Sequence, residues 1–128
     1  MKQLLGVDWG GVRIGLAIGS DKLRLARPLR TIKNDATTLV SLVEICRQEK
    51  IAGVVLGLPR NLEGRETAQS ATVRRFGEEL ASKLECELVW QDETLSTKEA
   101  AALQKSYPKA AIDSLAATII LQDYLNTL

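Results

Sequence analysis

The spacing of apolar residues along the 128-residue chain predicts three strands in its first third. Short apolar runs at 4–8 and 12–19 are separated by two glycines, which is typical of a β-hairpin. Residues 24–32 alternate weakly between apolar and polar positions and contain Pro28. A proline removes one backbone donor, so this segment suits an edge strand whose basic side chains stay in water.

The remainder of the chain alternates between helical and strand-like patterns. Helical spacing predicts a helix over about 36–49, and a buried strand at 53–58 follows it. A second long helix with one apolar face precedes a strand at 86–91. Thr94 can then cap a short helix, with Thr97 at its third helical position. After a break at Tyr107–Pro108, the apolar face of a last helix is formed by Ile112, Leu115, Ala116, Ile119 and Ile120.

This order of elements, βββαβαβαα, predicts an α/β fold. Strands that alternate with helices pair in parallel, so a hairpin followed by such units gives a mixed five-stranded sheet with helices on both faces. The length is that of one domain, and we expect residues 1–128 to form a single one.

Acidic residues follow two of the predicted parallel strands. Asp8 ends the first strand, and Asp92 and Glu93 follow the last one, while Asp113 begins the final helix. The carboxyl ends of parallel strands open onto one crevice, so these side chains can converge there. Carboxylates a few ångströms apart repel each other unless one is protonated or a cation lies between them. Mg²⁺ suits such a site, and two ions about 3.5–4 Å apart would support cleavage of a phosphodiester.

Each acid also has a structural alternative. Asp8 could be a turn residue before the glycines. Either Asp92 or Glu93 could cap the next helix, and spacing alone does not decide which of them binds metal. Asp113 could be an N-terminal charge that the helix dipole favours.

Composition narrows the chemistry further. The chain has no histidine, which excludes histidine-based acid–base catalysis and histidine-ligated zinc. Cys46 and Cys86 are expected to be core residues in a reducing compartment rather than a bridge or a metal pair. No apolar run approaches the roughly 20 residues of a membrane span, and the N-terminus lacks a signal-peptide pattern.

Charge is unevenly distributed, although the net charge is only +1. Residues 1–34 contain seven basic and two acidic residues, a net charge of +5. Such a segment indicates a phosphate-facing patch or, equally well, a solvated edge ribbon. Arg13 could contact substrate phosphate or only balance the carboxylates, and Arg60 and Asn61 lie on a loop at the active edge, where substrate contact is expected.

Four segments resemble the motifs of a known family, in the same order along the chain. They are LLGVDWGGVRIGLAI, VVLGLPRNLEG, DETLST and IDSLAATIILQDYL. They resemble the opening hairpin, the G-L-P-x-N-x-x-G segment, the D-E-R-x-[ST]-T segment and the D-x-x-A-A final helix of the YqgF (RuvX) family of Holliday-junction-resolvase-like nucleases. Four motifs at the right spacing are far more specific than one short motif.

The resemblance implies a ribonuclease-H-like fold and a nuclease that uses Mg²⁺ or Mn²⁺. The three metal-binding acids of the family match Asp8, Glu93 and Asp113. The resemblance also implies a cytoplasmic role in maturing the 5′ end of pre-16S ribosomal RNA, with junction resolution attributed to some members. Trp9 stands where the family usually has proline, and Thr94 where it often has arginine. The segment before the last acid retains few basic residues, among them Lys109, so substrate binding could depend instead on the N-terminal basic residues.

Several functions therefore stay open at this point. The first is a metal-dependent nuclease acting on precursor ribosomal RNA, as a monomer or a homodimer. The second is a resolvase of branched DNA, which would need two sites and hence a dimer. The third is a weakly catalytic RNA-binding factor in ribosome assembly. The fourth is a nucleotide-binding lobe, because D-x-G-G in a hairpin also resembles the phosphate loop of actin-like ATPases and sugar kinases.

Overall fold

A mixed five-stranded sheet organises the computed structural model, which describes residues 1–93 and 97–128, without the side chains of residues 97 and 98. The strands are β1 (Gln3–Asp8), β2 (Arg13–Ser20), β3 (Ala26–Lys33), β4 (Ile51–Leu58) and β5 (Glu87–Asp92). The helices are α1 (Thr38–Gln48), α2 (Ala68–Lys83), α3 (Thr97–Ser106) and α4 (Ile112–Leu125). The predicted order of elements is confirmed, and the proposed cap at Thr94 lies outside the described residues.

The strands are arranged in the order β3-β2-β1-β4-β5. β1 pairs antiparallel with β2, and β2 antiparallel with β3, whereas β4 runs parallel to both β1 and β5. The predicted edge strand is confirmed, because β3 ends the sheet. Its register against β2 shifts next to Pro28, where an irregular ladder tolerates the missing donor. The carboxyl ends of β1, β4 and β5 meet at one edge of the sheet.

Helices cover both faces of the sheet, as predicted. On one face, Leu5 and Val7 of β1 pack with Leu42 of α1 and Leu80 of α2. On the other face, α4 packs across the first three strands, and α3 lies against α4. None of the described helices is both long and apolar enough to cross a membrane.

Glycines in the hairpin allow α4 to lie very close to the sheet. A Cβ added at Gly6 would stand 2.7 Å from the Cβ of Leu121 and 2.8 Å from the carbonyl oxygen of Ala117. A Cβ added at Gly15 would overlap the backbone carbonyl of Asp113. The two glycines therefore fix the height of α4 above β1 and β2, and with it the position of Asp113.

The predicted apolar face of α4 is wrong at its first residue. Ile112 is 77% exposed, whereas Leu115, Ala116, Ile119 and Ile120 are buried. Ile112 is the first residue of the helix, and its side chain faces solvent. From Ser114 to Leu121 every residue is buried, because the sheet lies on one side of the helix and α3 packs against it as well.

The two cysteines are free thiols that lie next to each other, although 40 positions separate them in the sequence. Cys46 is buried in the core between α1 and the sheet, and Cys86 packs against the same core. Burial and the hydrogen bond that Cys46 donates to Cys86 raise the pKa of Cys46 to about 12. A thiol with so high a pKa is a poor nucleophile, which fits the expected core role.

Candidate functional site

Asp8 and Glu93 meet at the carboxyl edge of the sheet. Asp8 is the last residue of β1, and Glu93 comes directly after β5. The backbone N–H of Glu93 donates to the carbonyl oxygen of Leu58 at 3.1 Å, which ties the end of β5 to the end of β4. Both carboxyl groups are partly buried, and they are joined by a hydrogen bond between their side chains. Two acids that are 85 positions apart thus form one pair.

Room for this pair comes from Gly57 in β4. A Cβ at that position would lie 2.5 Å from the Cδ1 of Ile120 in α4 and 3.6 Å from the Oε2 of Glu93. The missing side chain leaves space in which the Glu93 carboxyl group lies between β4 and α4. Sequence reasoning did not single out Gly57 or Gly15, although a glycine inside an apolar strand signals close approach by a neighbour.

The environment makes ionisation of the pair costly. Burial, followed by the negative charge of Glu93 and its hydrogen bond, raises the pKa of Asp8 from 3.8 to about 8. Burial also raises the pKa of Glu93 above its ordinary value. The hydrogen bond raises the pKa of Asp8 and opposes the rise in the pKa of Glu93, so Asp8 is the donor and Glu93 the acceptor. A bound cation would replace that proton, because it offsets both charges.

Asp113 stands beside the pair, in the first turn of α4. Its negative charge contributes to the raised pKa of Asp8, so it lies within electrostatic reach. Its Oδ2 atom accepts a hydrogen bond from the Nε of Arg13 at 3.0 Å. In the described part of the chain, no three Asp, Glu, Cys or His side chains are close enough together to hold one metal ion. The structure thus brings Asp8 and Glu93 into contact and leaves Asp113 adjacent, paired with Arg13.

The donor atoms of this group suit a hard divalent cation. Carboxylate oxygens are the ligands that Mg²⁺ and Mn²⁺ prefer, and partial burial lets two of them be held ready for an ion. Asp8 and Glu93 provide the inner pair, and Asp113 provides a third acid at the outer rim. The residues present therefore fit such a cation.

Asp92, the alternative to Glu93, points elsewhere. Its Oδ1 atom accepts a hydrogen bond from the Nε of Arg60 at 2.8 Å, and Arg60 also donates to the carbonyl oxygen of Gly64 at 3.2 Å. Adjacent residues at the end of a strand face opposite sides, so only one of the two acids can turn toward Asp8. That residue is Glu93.

The loop after β4 is shaped by its own hydrogen bonds. The Oδ1 atom of Asn61 accepts from the backbone N–H groups of Glu63 and Arg65, at 3.1 Å and 2.9 Å. Gly64 has a φ of +76°, a conformation that favours glycine, so it serves the geometry of this loop. In the structure Arg60 and Asn61 hold this loop, and their expected contact with substrate stays a prediction.

Trp9 packs toward the core. It is partly buried against the core, and its ring centroid lies 6.3 Å from that of Phe76 at an interplanar angle of 49°. Lys109 is exposed in the connection between α3 and α4, beside the edge strand.

Comparison with known proteins gives consistent matches over nearly the whole chain. The model of the family described as "RuvX: Holliday junction resolvase" matches residues 2–127. Proteins of Rickettsia africae and Rickettsia rickettsii, each named "Putative pre-16S rRNA nuclease", are 35% identical over 98% of this chain and 86% of their own length.

Solved structures show the same fold at low sequence identity. RuvC of Thermus thermophilus in complex with a Holliday junction substrate has a TM-score of 0.66 at 14% identity, covering 99% of this chain and 95% of that one. The fowlpox virus resolvase in complex with Holliday junction DNA has a TM-score of 0.60 at 12% identity, covering 98% of this chain and 97% of that one. These likenesses confirm the predicted ribonuclease-H-like fold.

Proposed function

The chain belongs to the RuvX Holliday junction resolvase family and is a nuclease, and from that premise we propose that it processes the 5′ end of pre-16S ribosomal RNA with divalent metal ions. The observation that carries the proposal is the contact between Asp8 and Glu93 at the carboxyl edge of the sheet, with Asp113 beside them. Relatives at 35% identity that are named for pre-16S rRNA support this RNA as the substrate. The family match disfavours the hypothesis that the chain is a nucleotide-binding lobe.

We infer that two Mg²⁺ or Mn²⁺ ions are bound by Asp8 and Glu93, with Asp113 as the third carboxylate ligand. When bound, such ions activate water and offset the charge that develops on the phosphodiester oxygens. The chain's own contribution is to hold Asp8 and Glu93 in contact, with Asp113 beside them, before the metal arrives. The glycines at 15 and 57 keep α4 and the sheet close enough for that arrangement.

Arg13 serves this site in two ways. Its guanidinium holds Asp113 at the rim, and its side chain is 63% exposed, so its other N–H groups face solvent. Exposed guanidinium donors next to a carboxylate cluster are suited to a phosphate of the substrate backbone. Arg60, Asn61 and Lys109 are further proposed contacts around the edge.

A cleavage assay with matched variants tests the proposal. Wild-type protein is expected to cleave a precursor fragment spanning the 5′ end of 16S rRNA in Mg²⁺ or Mn²⁺ and not in EDTA. Glu93→Gln should reduce the rate at least ~100-fold, since one metal-holding group is removed. Asp92→Asn, at the neighbouring position, should leave the rate within about twofold, because its exposed pair with Arg60 contributes little.

Other outcomes would favour the other functions. Equal loss of activity in both variants would contradict the assignment of Glu93. Cleavage of four-way DNA junctions by a dimer, with precursor RNA left intact, would make the protein a resolvase, as the family description suggests. Tight RNA binding without any metal-dependent cleavage would make it an assembly factor.

A further inference from the structure

A groove lies next to the acid cluster, between the edge strand β3 and the connection from α3 to α4. Its volume is about 610 Å³. Its walls include Arg30 and Thr31 on the strand side and Tyr107, Lys109 and Ser114 on the helix side. Ser114 directly follows Asp113, so the groove opens beside the outermost acid.

Strand register shows how the groove connects to the site. Arg13 lies opposite Lys33, and Gly15 lies opposite Thr31, in the ladder between β2 and β3. Directly opposed residues point to the same face of a sheet. Gly15 faces α4, as its overlap with the carbonyl of Asp113 shows, and Arg13 reaches Asp113 on that side. Lys33 and Thr31 therefore face α4 as well.

These positions form a continuous path away from the metal-binding acids. The path runs from Asp113 over Arg13 and Lys33 and then along β3 into the groove. β3 is two strand spacings from β1, so the path extends about 10 Å to the side of Asp8. One or two nucleotides of an extended strand can span that distance.

The chemistry of the path suits a single nucleic-acid strand. Lys33 and Lys109 are exposed cations, and no acidic residue is among the described residues that line the groove. Tyr107 offers an aromatic side chain against which an unpaired base can stack. A groove of this volume is in the range of small-molecule sites, about 300–1,000 Å³, and is too small for a double helix.

We propose that the single-stranded RNA flanking the cleaved bond follows this path, with its phosphates on Lys33 and Lys109 and an unpaired base against Tyr107. The proposal rests on the nuclease function above and deepens it. The enzyme then recognises unpaired RNA next to the cleaved bond.

RNA affinity measured in EDTA tests the path without cleavage. The probe is an RNA hairpin, either blunt or with a three-nucleotide single-stranded extension, and anisotropy gives both dissociation constants. For wild type, the extension should tighten binding about 10-fold, the range of one stacked base. Tyr107→Leu should remove that gain and change blunt-hairpin affinity less than twofold, whereas Tyr107→Phe should keep the gain.

Charge contacts are tested separately with lysine variants that do not disturb the core. Lys33→Gln and Lys109→Gln should each lower the salt-dependence slope for the extended RNA by about one. Lys83→Gln, an exposed lysine at the end of α2 away from this edge, should leave the slope unchanged. An unchanged slope in both path variants would overturn the proposal, as would a full extension gain in Tyr107→Leu.

The two proposals fail in different ways. If wild type gains affinity from the extension but never cleaves RNA in Mg²⁺ or Mn²⁺, the path stands and the nuclease function on RNA is wrong. If wild type cleaves RNA, and the ratio of cleavage rates on extended and blunt substrates is the same for Tyr107→Leu as for wild type, the path is wrong and the nuclease function stands.

Discussion

Replacing Asp8 with asparagine should stabilise the metal-free protein at pH 8. The side chain keeps its size and can still donate a hydrogen bond to Glu93, but it can no longer ionise. In wild type the folded state holds the pKa of Asp8 at about 8, against 3.8 for an ordinary aspartate. Below about pH 4 the carboxyl group is protonated in both the folded and unfolded states. As pH rises from about 4 to 8, the unfolded chain ionises first, and the wild type loses stability.

The size of this loss follows from the pKa difference. At about 1.4 kcal/mol per pKa unit, the full difference corresponds to about 6 kcal/mol at and above pH 8. Asp8 is partly exposed, and solvent screening reduces this to about 3 kcal/mol. For a chain of this size that is a shift in Tm of about 10 °C.

The assay is thermal unfolding of wild type and Asp8→Asn in EDTA at pH 4 and at pH 8. The variant should melt about 10 °C higher at pH 8, and the gap should nearly vanish at pH 4. Millimolar Mg²⁺ or Mn²⁺ should raise the Tm of wild type at pH 8, since ligand bound to the folded state adds stability, and should raise that of the variant much less. Asp92→Asn serves as the control and should behave like wild type. A gap that is equal at both pH values, or absent at pH 8, would refute the reasoning.

Three further variants test the site and its supports. Gly15→Ala should lose about 1–3 kcal/mol of stability and most of the metal-dependent cleavage, because the added Cβ would overlap the carbonyl of Asp113. The control is Gly11→Ala, whose added Cβ would meet nothing within 4 Å and which should be neutral in urea unfolding and in cleavage. Equal effects in the two variants would contradict the close approach of α4. Arg13→Gln should lower the free energy of unfolding by less than about 1 kcal/mol, because the ion pair is exposed. It should also lower the salt-dependence slope of RNA binding by about one. An unchanged slope would mean that Arg13 contacts only Asp113 and no substrate phosphate. Leu121→Ala should lose about 2–5 kcal/mol in urea unfolding, because a fully buried side chain between α4 and the sheet is removed; a loss under 1 kcal/mol would contradict that packing.

The sequence predicts the fold well because each element has a clear local signal. Glycines separate the hairpin strands, β-branched runs mark the buried strand β4, and the break at Tyr107–Pro108 divides the last two helices. The rule that parallel strands share a carboxyl edge then brings Asp8 to the same edge as Asp92 and Glu93, and the structure shows that Glu93 is the one that contacts Asp8. The resemblance to the family adds the identity of the acids.

The features that the sequence does not predict depend on contacts between distant residues. Asp113 pairs with Arg13 across 100 positions, and only the register of β2 under α4 brings them together. The exposure of Ile112 depends on how the first turn of α4 lies on the sheet, which helical spacing cannot reveal. The contact between the two cysteines depends likewise on how α1 and β5 meet at the far end of the sheet.

The central claim is that Asp8, Glu93 and Asp113 jointly bind divalent metal, and crystals grown with Mn²⁺ test it most directly. Anomalous scattering identifies the manganese positions without reference to any activity. We expect Mn²⁺ coordinated by carboxylate oxygens of Asp8 and Glu93, at about 2.0–2.2 Å, with Asp113 turned from Arg13 toward the ion. Manganese bound only elsewhere on the protein, with Asp8 and Glu93 still sharing a proton, would contradict the account.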